Sequence, residues 1–114
     1  MMENVEISRF TGPGFQVMTQ FEGWKIGFLR YNERFSACKE MERHMETDEV
    51  FLLLEGSAVL YVEDETIPME KCTVYNVKKA VWHHIVVSED ATVLVVENSN
   101  TSRDNTQKKE LQSC

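Results

Sequence analysis

The chain has 114 residues, enough for a single domain built around one core. Its 42% hydrophobic and 27% charged residues set aside a disordered chain, and its formal net charge of -7 argues against nucleic acid or an anionic membrane surface as partner. No run of about 18 apolar residues predicts a membrane helix, and the first residues, with Glu3 and Glu6, lack the apolar stretch of a signal peptide. The three cysteines, Cys38, Cys72 and Cys114, are odd in number and far apart, which fits reduced thiols in a cytoplasmic protein.

Strand-like runs then follow one another over 15–21, 24–30, 35–44, 50–54, 58–63, 72–77, 81–87 and 92–97. Turn signals divide them at Glu22-Gly23, Tyr31-Asn32-Glu33, Glu55-Gly56, Glu63-Asp64-Glu65 and Ser88-Glu89-Asp90. Trp24, Ile26 and Phe28 alternate with Lys25, Gly27 and Leu29, as on a strand with two unlike faces. Phe51-Leu52-Leu53-Leu54 is apolar on both faces, as expected where a strand is covered on both sides. No amphipathic helix of 12 or more residues is expected. Many short strands at such spacing predict an all-β sandwich or barrel over about 15–98. The remainder, 99–114, reads as a polar extension, loosely held or a short helix.

The chemistry-bearing residues cluster on three runs. On a strand over 35–44, Cys38, Glu40, Glu42 and His44 share a face. Burying two carboxylates and an imidazole there costs several kcal/mol unless they are paired or bind a cation, so that face is either exposed or a polar cavity. Met45 to Asp48 is a tight polar turn that brings Glu49 beside His44. Further on, His83 shares a face with Val81 and Ile85, while His84 lies with Trp82 and Val86 on the face expected to pack in an interface.

The run His44-Met45-Glu46-Thr47-Asp48-Glu49-Val50-Phe51, ending at Gly56, resembles the first motif of the cupin superfamily: a His-x-His pair, three or four residues, a glutamate, six residues and a glycine. Lys78-Lys79-Ala80-Val81-Trp82-His83 is similar to the second motif, Pro-x-Gly-x-x-His. The family's first histidine falls on Glu42, the glycine that opens motif one on Ser36, and the motif-two glycines on Cys72 and Ala80. The resemblance implies an antiparallel double-stranded β-helix, or jelly-roll, barrel. It also implies a divalent metal (Fe, Mn, Zn or Ni) held by His44, Glu49 and His83, with Glu42 as a fourth ligand or as the partner of an arginine such as Arg30 or Arg34.

Glu40, further out on the same face, is a candidate base or ligand-orienting group. The implied function is action on, or binding of, a small polar metabolite of the sugar or keto-acid type. The alternative is a non-catalytic ligand-binding or sensor cupin with a degenerate metal site. A homodimer is expected from the outward-facing Leu52, Leu54, Trp82 and Val86.

Overall fold

The computed structural model describes residues 4–112. Its strands are β1 (Gly14–Phe21), β2 (Trp24–Arg30), β3 (Glu40–His44), β4 (Glu49–Glu55), β5 (Ala58–Val62), β6 (Glu65–Pro68), β7 (Tyr75–Val77), β8 (His83–Val87), β9 (Thr92–Glu97) and β10 (Thr106–Glu110). They form two five-stranded sheets, in the orders β1-β2-β9-β4-β7 and β10-β3-β8-β5-β6. All the strand pairings are antiparallel. After β2 the chain passes from sheet to sheet at nearly every connection, so the sheets lie face to face as a jelly-roll barrel with open edges. No helix among the described residues is long and apolar enough to cross a membrane.

Period-two alternation builds the core. Leu29, Phe51, Leu53, Val93 and Val95 point inward from the first sheet, and Ala58, Leu60, Ile85 and Val87 meet them from the second. Leu60, Val93 and Val95 are almost wholly excluded from solvent, each contributing roughly 1.5–3 kcal/mol of apolar burial. Gly56 closes the β4–β5 turn at φ +72, where an added Cβ would lie 2.6 Å from the Ala91 Cα. Only glycine meets both demands without strain.

Several elements differ from the sequence expectation, each for a local reason. The strand expected over 35–44 begins only at Glu40, because Asn32 caps a 3-10 turn, Glu33–Phe35, by accepting from the Phe35 N–H. That turn drives Phe35 into the core and onto the ring of His84, whose Nε2 is 3.1 Å from the Arg34 carbonyl. The face of His84 is therefore covered by the chain itself. Strand β6 follows a tighter Glu63-Asp64 turn, and Pro68 is tolerated because β6 is an edge strand.

The largest correction concerns the C-terminal segment, whose only helix among the described residues is a single 3-10 turn, Arg103–Asn105, and which continues as an ordered strand instead of a loose extension. Thr106 to Glu110 pair with His44 to Glu40 as edge strand β10, pinned at its ends by Met45 N–H to Asn105 O and Leu111 N–H to Lys39 O. Cys38 is buried and disulfide-bonded, not the reduced thiol expected. Cys72 is free and exposed, and Cys114 lies outside the described residues.

Candidate metal centre

Strand register assembles the site. Glu42 stands opposite His83 across β3 and β8, Thr106 opposite His44 across β10 and β3, and Glu49 opposite Glu97 across β4 and β9. Because each residue occupies an inward position of its strand, the side chains converge on one end of the barrel interior. They line a cavity of about 510 Å³ whose walls include Phe15, Leu29, Phe35 and Phe51. That size suits a small metabolite.

Glu49 is the hub. Its Oε1 lies 3.0 Å from His44 Nε2 and 2.8 Å from His83 Nε2. Glu42 Oε1 is 3.8 Å from His44 Nε2, while its Oε2 accepts from Arg34 Nη2 at 3.0 Å. One oxygen of Glu42 is thus turned toward the cluster and the other is held by an arginine. One donor atom from each of Glu42, His44, Glu49 and His83 lies within 4.8 Å of all the others. The shorter separations match the roughly 3.0 Å between neighbouring ligands on an ion with bonds of about 2.1 Å.

The hydrogen-bond chemistry explains why a cation suits this arrangement. His83 Nδ1 is 3.0 Å from the Val81 carbonyl, which can only accept, so Nδ1 carries the ring proton. A neutral His83 therefore aims an Nε2 lone pair at a carboxylate oxygen. Two acceptors in contact are repulsive; either a second proton or a metal ion must lie between them. Two imidazole nitrogens and carboxylate oxygen are the donors that first-row divalent ions take.

The electrostatics follow. Burial alone would lower the pKa of His44 and His83, but the hydrogen bond and charge of Glu49, with Glu42 adding to them, raise both above 6.5. Burial likewise opposes ionisation of Glu49, yet the two histidines outweigh it and hold that carboxyl well below the usual range.

Glu97, Arg103, Thr106 and Lys108 line the same cavity and were missed in the sequence. Glu97 is 8% exposed, lines the cavity and reaches Lys25 Nζ at 3.6 Å. Burial, then the charge of Glu49 and a hydrogen bond with it, push its pKa up to about 7. Its signal was present: Val93, Val95 and Glu97 share a parity, so a strand with a valine face inward ends by pointing a carboxyl inward. Glu40 lies apart from the cavity wall and pairs with Arg34 Nε at 3.6 Å.

No protein-family model and no curated protein matches the chain. Solved structures do. A cupin-2 domain containing protein from Shewanella frigidimarina superposes with a TM-score of 0.63 at 21% identity, covering 78% of this chain and 84% of that one. Pac13 of Streptomyces, described as a nucleoside dehydratase, gives 0.71 at 10% identity over 92% of this chain and 86% of its own. KdgF from Halomonas sp. gives 0.63 at 13% identity over 90% and 94%. At these identities the likeness is one of fold, and this chain is a small protein of the cupin fold.

Proposed function

We propose that this protein is a metal-dependent cupin in which His44, Glu49 and His83 hold one divalent cation and the cavity beside them admits a small polar metabolite, of the sugar or keto-acid type. The observation that carries the reading is the aim of two Nε2 atoms at a single Glu49 oxygen: the lone pair that neutral His83 turns on that oxygen requires a proton or a metal ion between them, and the donor set suits a metal. When bound, the metal supplies Lewis-acid polarisation of a ligand carbonyl or hydroxyl. Glu97, a buried carboxyl on the cavity wall whose pKa in the metal-free protein is pushed up to about 7, is the group placed to give a proton to a ligand or take one from it.

The rest of the cavity supports an acidic ligand. Arg103 and Lys108 line it and have no carboxylate partner among the described residues, whereas Arg34 is neutralised by Glu42 and Glu40. Two uncompensated cations beside the cavity of a chain with net charge -7 favour a carboxylate or phosphate on the ligand.

Elemental analysis of tag-free protein tests the reading. Wild type is expected to carry close to one transition-metal ion per chain and the His44→Ala/His83→Ala double variant none. Stoichiometric metal in the double variant would exclude the site as described.

A further inference from the structure

We infer that Thr106, on the C-terminal strand β10, is a positioning residue that fixes the ring orientation and tautomer of His44, so that the last strand of the fold completes the metal centre. The inference rests on the metal reading above for its consequence, but its geometry stands apart from it.

The Thr106 hydroxyl oxygen is 2.7 Å from the Ser102 carbonyl and 3.0 Å from His44 Nδ1. A hydroxyl has one proton to give, and the Ser102 carbonyl can only accept. The Thr106 proton therefore goes to Ser102, and the lone pairs that remain require His44 to donate from Nδ1. This leaves Nε2 as the nitrogen that faces Glu49 and Glu42. His83 reaches the same state through the Val81 carbonyl. The two imidazoles thus present equivalent nitrogens to the cluster, one anchored by backbone and the other by a side chain on β10.

The placement of Thr106 depends on the ladder around it. Thr106 is the residue registered against His44, and the next pair is locked by Arg43 donating to Gln107 Oε1 from Nε at 2.8 Å and Nη2 at 2.6 Å. Met45 N–H to Asn105 O fixes the start of the strand beside the site. Edge strand β10 carries no apolar face of its own, since only Thr106 is half-buried among its five residues. What it contributes to the interior is this hydroxyl, together with the Lys108 side chain at the cavity.

Outer partners of metal-bound imidazoles typically change metal affinity by 10–100-fold. The test compares wild type, Thr106→Val and Thr106→Ser, using cobalt(II) as the probe in competition with a chelator, and ¹⁵N-histidine spectra of the metal-free protein. Thr106→Val, which keeps the shape and β-branching, is expected to weaken cobalt affinity by at least about tenfold and to displace or lose the hydrogen-bonded Nδ1–H resonance of His44. Thr106→Ser should restore both. A valine variant with wild-type affinity and an unchanged His44 resonance, or a serine variant as impaired as the valine one, would overturn the inference. Wild-type protein that takes up no cobalt would sink the metal reading instead, and the ring resonance in metal-free protein would then decide the role of Thr106 alone.

Discussion

Glu49 and Glu97 face each other across the β4–β9 ladder, and the cavity gives the two carboxyls opposite acid strengths. Both are buried, which by itself would raise each pKa. Glu49 receives two imidazole hydrogen bonds and ionises readily, and its charge then acts on Glu97, whose own cation, Lys25, is more distant at 3.6 Å. In the metal-free protein Glu97 therefore keeps its proton to a much higher pH than Glu49 does. This is the division of labour expected when one carboxylate is to face a cation and the other is to move a proton.

The same shifts predict how the metal-free protein responds to pH. His44 and His83 have raised pKa values, so their contribution is complete below 6.5 and is lost as pH rises through their folded values. Glu97, raised from 4.5 to about 7, loses its contribution across that interval in the same direction. Glu49 is depressed, so its contribution is present above 4.5 and lost as pH falls. His84, lowered chiefly by burial, opposes the other two histidines by favouring the fold above 6.5. Three groups against one leave the metal-free protein most stable at roughly pH 5–6 and less stable at pH 8. Zinc should reverse the alkaline loss, because metal and proton compete for the same nitrogens. Thermal denaturation from pH 5 to 8 in chelator and in zinc measures both; a metal-free protein that gains stability up to pH 8 contradicts the assignment.

Cys72 at φ +58 and Ala80 at φ +67 occupy the left-handed region, at the two positions where the cupin pattern has glycine. Each residue pays about 1–2 kcal/mol for its Cβ there. Cys72 is exposed, so little packing is lost on its replacement. Ala80 donates to the His44 carbonyl at 2.7 Å, a bond that glycine keeps. Cys72→Gly and Ala80→Gly are each expected to stabilise by about 1 kcal/mol, after the greater freedom of glycine in the unfolded chain is deducted. Melting temperatures should rise by about 4 °C apiece, and a fall in either would show that the turn is held by something else.

How much of this was legible in the sequence follows from which signals are local. Strands β1, β2, β5 and β9 were readable to within a residue because apolar alternation survives in one strand taken alone. His44, Glu49 and His83 were named from their match to two short sequence motifs, and the strands that carry them bring their side chains together. Strand β10 was not: Thr106-Gln107-Lys108-Lys109-Glu110 has no apolar alternation, and its reason to be extended is the edge of β3, which lies 62 residues earlier at the Thr106–His44 contact. Glu97 was passed over although its parity was visible, since a charged residue at a strand end is usually solvated. Its burial comes from Glu49 and Lys25 on neighbouring strands, a fact of register and not of local sequence.

Arg103 and Lys108 give a prediction about the ligand. Replacing both with glutamine removes two positive charges from the cavity lining without touching His44, Glu49 or His83. Metal content should be unchanged. Binding of an acidic probe such as 2-oxoglutarate to the zinc-loaded protein should weaken by about tenfold or more, since a charge-assisted contact contributes about 1.5–3 kcal/mol. A neutral sugar such as ribose should show no change. Calorimetry on the two proteins decides the matter: equal affinities for 2-oxoglutarate would mean that neither cation meets the ligand.

Glu42 provides the last prediction, because its two oxygens are divided between the cluster and Arg34. Its Oε1 is 3.8 Å from His44 Nε2, farther than either histidine is from Glu49, and the Arg34 contact at 3.0 Å pulls the carboxylate toward the surface. A side chain so held contributes charge to the site more than a bond, so Glu42→Ala should retain the metal and weaken it only several-fold. Glu42→His should act in the opposite sense. It places a third neutral nitrogen opposite His83 on the β3–β8 pair, and nitrogen donors favour zinc and nickel over manganese. Arg34 loses one partner but keeps Glu40, and its side chain is 39% exposed, so the uncompensated charge remains solvated. Zinc affinity in the histidine variant should rise by about tenfold or more, with manganese left behind. Chelator competition with both ions measures this. If Glu42→Ala instead abolishes metal binding, Glu42 is a full ligand, and Arg34 must release it when the ion enters.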